Sequence, residues 1–458
     1  MKPRLILLAQ CICTISILVV ACEPATSTSA SEPNPTITLP TTLTSLPNPV
    51  TNAISTPGHG SVVQAPPPIL TTTPTITLVS DRCLPAEATG IIASGGIVLY
   101  DHNNFSLIIK GRSELRIPEQ PTLDSYTRKV FLTPSDTYLG YDLVNQDNYD
   151  LVIRESNGSI YKDYPEAVLG HSLNALGGIY ASNSADWIND DAILVRTNAN
   201  EFGSMTLFLV NINTGSSEEL PLDFPDLASG ADVNWGIDDI AIHMGSLKGT
   251  NIVYDSSLTR VVYPKIGGIA TLYDVNQKKE LASLPLTDAT DPQWSPDGKL
   301  FVIKSKAVSS TGEAGDEFFI VSRDGPDFRQ LTYLGNLDPG ISIGAYSWSP
   351  DSQKIAFWMK TKDASEYSLA SLDLNTGAIT NYCVNGVASY NSDLSTGSHP
   401  GPVVKTGKPV WSPDQTQLLI SQFDTAHKHI NVILVDLVQG LNFKLTRDVE
   451  PVGWLKEP

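Results

Sequence analysis

Apolar residues along this chain come in short runs rich in Val, Ile, Thr and Tyr, separated by Gly, Pro, Asn, Asp and Ser. No long stretch keeps the 3.6-residue apolar period of an amphipathic helix, so the pattern predicts strands. The runs fall into a repeating order. A strand such as 355–358 is followed by one such as 367–372 or 430–435, and then by one such as 328–332 or 443–446. The middle strand often ends in an Asp-x-x-x-Gly turn, as in Asp373-Leu374-Asn375-Thr376-Gly377.

Each set is preceded by the same corner. Trp294-Ser295-Pro296-Asp297-Gly298, Trp348-Ser349-Pro350-Asp351 and Trp411-Ser412-Pro413-Asp414 lie 54 and 63 residues apart. Upstream the corner decays but keeps its frame, in Phe131-Leu132-Thr133-Pro134-Ser135-Asp136, Trp187-Ile188-Asn189-Asp190-Asp191 and Trp235-Gly236-Ile237-Asp238-Asp239. The chemistry of the motif is that of a tight turn. Pro presets φ, Asp accepts from following backbone N–H groups, and Gly or a small polar residue takes the left-handed position. Trp buries its ring between sheets while its N–H finds a partner. Asp297, Asp351 and Asp414 are therefore expected to be structural.

Four strands every 43 to 63 residues are the mark of a propeller blade. Six anchors, Phe131, Trp187, Trp235, Trp294, Trp348 and Trp411, each head such a unit. Two pieces remain: Val452-Gly453-Trp454 at the end of the chain, an inner strand without a blade, and residues 96–117, a blade without an inner strand. Joined, they make a seventh blade and leave no open edge in the ring. The expectation is an all-β, seven-bladed propeller of four-stranded antiparallel blades over residues 81–458, with six blades as the alternative.

The repeat resembles that of the TolB-like propeller family, closely in Pro292-Gln293-Trp294 to Gly298 and in Arg329-Gln330-Leu331-Thr332, strongly over 288–446 and weakly before Trp187. The resemblance implies protein–protein contact in envelope assemblies, although a fold does not fix a function.

The N-terminus adds a location. Lys2 and Arg4 precede an apolar stretch, 5–20, which leads into Val19-Val20-Ala21-Cys22. This resembles the lipobox of bacterial lipoproteins, so 1–21 are expected to be a signal peptide and Cys22 the lipidated residue. The apolar stretch is short for a spanning helix. The anchor would hold the protein outside the cytoplasm on the cell membrane or the outer membrane. Residues 22–80 form a Thr/Ser/Pro-rich tether with 11 prolines and no Lys or Arg, a composition that cannot build a core.

The formal charge is −19, and removal of Lys2 and Arg4 with the leader makes it −21. Such a surface repels phosphate backbones, so nucleic acid is not an expected partner. Cys83 and Cys383 are the mature cysteines besides Cys22. Outside the cytoplasm they are either a disulfide, worth about 5 kcal/mol on the chain-entropy model, or two free thiols. A bond between them would require the chain after Cys83 to lie across the closing blade.

Catalytic motifs are missing: no nucleophile elbow, no His-Glu-x-x-His and no phosphate-binding glycine loop. His427 and His429, with Asp424 nearby, have no third ligand, so neither a metal nor another cofactor is expected. The non-repeating candidates are the long connection 384–408, with Tyr390, Asp393 and His399, and the shorter polar insertions 307–316 and 245–251. Three functions fit. The first is a monomeric, non-enzymatic binding or scaffolding module for a protein, peptide or glycan. The second is a glycan hydrolase or lyase using channel carboxylates, and the third is an extracellular ligand sensor.

Overall fold

The computed structural model describes residues 79–86, 92, 95–101, 106–110, 114–117, 125–145, 148–164, 185–198, 205–228, 252–266, 269–284, 286, 290–310, 312–325, 327–386, 407–424 and 429–456. All lie within the compact unit Leu70–Pro458. Cys22, Trp235, Tyr390, Asp393, His399 and His427 fall outside the described residues, as does the insertion 245–251.

Seven sheets form a closed propeller. From the inner strand outward, blade 1 is Glu450–Leu455, Gly96–Asp101, Ser106–Lys110 and Glu114–Ile117. Blade 2 is Ser125–Leu132, Tyr138–Asn145, Asn148–Glu155 and Ile160–Tyr164. Blade 3 is Ala185–Asn189, Ala192–Asn198, Met205–Asn211 and Ser217–Leu220, and blade 4 is Val253–Tyr254, Arg260–Pro264, Ala270–Asp274 and Lys279–Leu284. Blade 5 is Thr290–Trp294, Leu300–Val308, Ala314–Ser322 and Arg329–Gln330. Blade 6 is Ser342–Trp348, Lys354–Lys360, Tyr367–Asp373 and Ile379–Gly386, and blade 7 is Val410–Trp411, Gln417–Asp424, His429–Asp436 and Leu441–Arg447. The last strand of the chain does complete the first blade, pairing Ile97 with Trp454 and Gly96 with Leu455. The ring has seven blades rather than six.

Each blade is sandwiched between two others, which explains why its middle strands read as continuous apolar runs. In Lys354–Lys360, Ile355, Phe357 and Met359 pack toward blade 5, while Ala356 and Trp358 pack toward blade 7. The same two-residue alternation divides Gln417–Asp424, where Leu418 and Ile420 face blade 6 and Leu419 faces blade 1. The seven apolar clusters of the described residues each fill one interface between neighbouring blades. The core is thus radial walls, not a single centre.

Two features depart from the expectation. Blade 4 is not headed by Trp235. Its inner strand is Val253–Tyr254 and its corner is Asp255-Ser256-Ser257-Leu258, with Leu258 at φ 58° in the position that Gly298 holds at φ 67°. Blade 6 has five strands, because Val79–Asp81 adds in parallel to the outer edge of Ile379–Gly386. Cys83 and Cys383 are bonded, with their Cα atoms 4.7 Å apart. Beyond the bond the chain crosses the outside of blade 7. There the Arg82 guanidinium donates to the Leu437 carbonyl at 2.9 Å, and Asn442 donates its backbone N–H to the Pro85 carbonyl at 2.9 Å. The expectation put this chain across the closing blade; its described contacts lie instead on blade 7, next to that blade, as a strap over blades 6 and 7.

Candidate functional site

The up-and-down strand order gives the ring two different ends. One end carries the corners between first and second strands and the turns between third and fourth. The other carries the hairpins between second and third strands and the connections from blade to blade.

At the corner end the buried hydroxyl is the hub. Ser295, Ser349 and Ser412 each accept from the N–H five residues on, at 3.0, 2.8 and 2.9 Å. Each donates to the Asp two residues on, at 2.7, 2.6 and 2.7 Å. Asp297, Asp351 and Asp414 in turn accept from the N–H two residues beyond themselves. For Asp297 and Asp414 burial works against ionisation. The hydrogen bonds from Ser295 and Lys299, and from Ser412 and Thr416, outweigh it and hold both carboxyls below the usual range. The indole of Trp294 donates to the Val253 carbonyl of blade 4, and that of Trp411 to the Ser347 carbonyl of blade 6. The buried N–H groups of Trp348 and Trp454 have no such partner, so these two rings act through packing alone.

Corners also bond to one another around the ring. Lys456 N–H donates to the Asp136 carbonyl at 2.9 Å, Ser135 N–H to the Asp190 carboxylate at 3.3 Å, and Asn189 to the Ser256 carbonyl at 3.1 Å. Asp297 N–H donates to Ser352 Oγ at 3.1 Å, and the Gln415 amide, turned to donate, reaches the Asp351 carboxylate at 2.8 Å. This end of the molecule is fastened to itself, which is the structural role expected of the repeated motif.

One corner residue stands apart. Asp136 takes the left-handed position of its corner, at φ 60°. Burial raises its carboxyl to about 7, with Lys456 lowering it and Asp190 raising it. The folded chain keeps this proton well above the ordinary value of 3.8. Over the window from about 4 to 7 the folded state binds more protons than the unfolded one, so this group makes stability fall as pH rises. Asn tolerates the left-handed region. Asp136→Asn is expected to melt like the wild type near pH 4 and to be more stable by about 1 kcal/mol or more at pH 8. A difference that is independent of pH in thermal melts would refute this.

The loop end is built differently. In the connection from blade 5 to blade 6, the buried Glu317 carboxylate accepts from the Thr332 hydroxyl at 2.6 Å, Leu334 N–H at 3.0 Å and Gly335 N–H at 2.7 Å. Burial pushes this carboxyl up, opposed by those three donors. The 3₁₀ turn Leu334–Asn336 that it holds is tied to the hairpin of blade 5, because Ser310 N–H donates to Asn336 Oδ1 at 3.0 Å. The hairpin of blade 6 joins in through Lys362, whose N–H donates to Asp338 at 2.9 Å and whose ammonium lies 3.2 Å from Glu313. On this braced frame sit Val308 and Leu337, 73% and 51% exposed, with Ile266 and Ile269 exposed in the hairpin of the adjacent blade 4. Of the eight exposed large apolar residues among the described ones, these four share one end of the ring and two neighbouring blades.

The insertion 307–316 belongs to this frame, but the sequence does not single out its exposed Val308 or the exposed Leu337 of the next connection. Their only local signal is an apolar residue in a polar hairpin or connection. The long connection expected to hold Tyr390, Asp393 and His399 leaves blade 6 on this same end. Its two stems meet one side chain: Trp358 donates to the Gly407 carbonyl, and a Cβ on Gly386 would lie 2.0 Å from the Trp358 ring. His429 pairs with Asp448 at 2.7 Å. Among the described residues no group of three or more His, Cys, Asp or Glu could hold a metal ion.

No family model matches this chain, and no curated protein matches it. Solved structures do. An oligogalacturonate lyase in complex with manganese is 13% identical, with 79% of this chain and 86% of that one covered at a TM-score of 0.45. The oligogalacturonate lyase of Vibrio parahaemolyticus is 11% identical, with coverages of 79% and 87% and a TM-score of 0.45. A putative TolB from Agrobacterium tumefaciens is 14% identical, with coverages of 70% and 95% and a TM-score of 0.36. The lyase activity and the manganese belong to those proteins; the likeness is one of fold.

Proposed function

We propose that this protein is a lipid-anchored, extracytoplasmic binding module, without enzymatic activity of its own, that engages a protein partner through the loop end of its propeller. The observation that carries the reading is the exposure of Val308 and Leu337 on braced loops, together with Ile266 and Ile269 at the same end of the adjacent blade 4. Exposed apolar side chains scattered singly need no explanation, but a set presented at one end of neighbouring blades, two of its members on braced loops, is what an interface uses. The lipobox ending in Cys22 and the Thr/Ser/Pro-rich tether support an anchored position. The acidic charge supports a partner other than nucleic acid or an anionic surface.

Two measurements test this. Photocrosslinkers placed at Val308 and Leu337 in intact cells should give a discrete protein adduct. One at Val438, 71% exposed in a turn at the corner end, should not. Equal labelling from all three positions, or none from any, would count against the loop end. Separately, Cys22→Ala should abolish incorporation of a labelled fatty acid and release the protein from the membrane fraction; unchanged labelling would remove the anchor from the proposal.

An enzymatic reading has one observation in its favour. Asp136, with its carboxyl raised to about 7, lies in the electrostatic field of Asp190, and a carboxyl poised near neutrality beside another is what acid–base chemistry on a glycan needs. Cleavage of a glycan by the wild type and its loss in Asp136→Asn would favour that reading over the binding module.

A further inference from the structure

The strap occupies a particular place between tether and ring. Tension on the chain before Val79 has two routes into the domain. Along the backbone it passes residues 79–95 and reaches Gly96, the first residue of the strand that pairs with the ring-closing strand. Gly96 is opposite Leu455, at the very end of that antiparallel pair. A pull at the end of such a pair opens its hydrogen bonds one at a time, whereas a pull along both strands loads them together. The backbone route therefore leads to the place where the ring opens most easily.

The second route is the disulfide. From Cys83 it enters Cys383, in the outer strand of blade 6. That strand is bonded along Tyr367–Asp373, and its Tyr382 and Val384 are buried in the wall between blades 6 and 7. Leu84, next to Cys83, is buried in the same wall. Outside the bond the strap is held by a three-residue parallel pairing and a few hydrogen bonds to blades 6 and 7.

We infer that the Cys83–Cys383 bond diverts a pull on the N-terminal tether into the wall between blades 6 and 7, away from the strand pair that closes the ring. The source of that pull is the anchored module proposed above, and the inference rests on that reading for its purpose. The device itself can be tested whether or not Cys22 carries lipid. Without the bond, tension peels the whole strap and then opens blade 1; with it, only Val79–Arg82 can peel, and the chain from Cys83 on stays in place until blade 6 fails.

The test is single-molecule stretching of residues 22–458, with one handle at the N-terminus and the other on a labelling peptide inserted after Gly312, in an exposed hairpin where a Cβ meets nothing within 4 Å. The oxidised wild type should release at most Val79–Arg82, which precede the bond, before a blade unfolds. The Cys83→Ser/Cys383→Ser variant, and the wild type in a dithiol reductant, should show an early low-force step. Beyond the release of Val79–Arg82, that step should free the 13 residues 83–95, about 45 Å at full extension less the distance they already span. The same early step in the oxidised wild type would overturn the inference, because the bond would then not carry the pull. No early step in either reduced form would also overturn it, because the strap would then hold without the bond. Loss of lipid labelling on Cys22 with these steps intact would count against the anchored reading alone.

Discussion

A chain ended after Asp448 is expected not to form a cooperatively folding propeller. The missing segment is the inner strand of blade 1, and it brings Trp454 and Leu455, both almost fully buried, into two different walls of the ring. Its loss strips the strand Gly96–Asp101 of its partner and leaves an open edge facing the channel. Because every other blade is held between two neighbours, an opened ring loses two walls at once. The full-length Trp454→Ala variant is the milder form of the experiment. Replacing a buried Trp by Ala costs about 3–5 kcal/mol, a large share of the 5–15 kcal/mol typical of a folded domain. The adjoining Gly453 allows the close approach: a Cβ there would lie 1.8 Å from Leu132 of blade 2. Near-UV circular dichroism and thermal melts would check both variants. A truncated chain with a wild-type melt would mean that the ring does not depend on its closing strand.

Asp255→Ala is expected to cost about 3 kcal/mol, the lower end for removing one partner of a buried ion pair. Asp255 is buried and takes the place that a serine holds in the clear repeats. Its carboxylate accepts from Thr259 N–H at 2.8 Å, Arg260 N–H at 2.9 Å and the Ser257 hydroxyl at 2.6 Å. It also accepts from Arg323 of blade 5, through Nε at 3.0 Å and Nη2 at 2.9 Å. One side chain thus holds its own corner and the junction of two blades. The estimate stays low because Arg323 is one-third exposed and turns to water when its partner is removed. Asp255→Ser, which restores the hydroxyl of the other corners, should recover part of the loss, through the turn but not the junction. Chemical denaturation of the three proteins would measure the order wild type, Ser, Ala; equal stabilities would show that the corner of blade 4 is held by packing alone.

These two sites differ in how far they could be read from the sequence. Val452-Gly453-Trp454 was legible because it repeats a pattern, and a leftover inner strand has only one place to go in a ring. The corner at Asp255 was not. Trp235-Gly236-Ile237-Asp238-Asp239 looks more like the other corners than Asp255-Ser256-Ser257-Leu258 does, and what makes the latter work is an arginine 68 residues away on the next blade. The candidate binding end was legible in part. The insertion 307–316 was marked by its polar, non-repeating composition. Val308 and Leu337 acquire meaning only because Glu317, Asn336 and Lys362 brace the loops that present them.

By itself the sequence determined the strand order within a blade, the turn chemistry of the corners, the number of blades and the closure of the ring. Each of these is written locally, in a two-residue alternation, in the residues a turn demands, or in the recurrence of both. The tertiary structure alone decided the pairing of Val79–Asp81 with a strand 300 residues on, the disulfide it leads to, the true corner of blade 4, and the exposure of four apolar residues at one end. Those depend on which distant segments meet. Parallel pairing, an ion pair between blades and the lack of cover over a side chain leave no periodic trace along the chain.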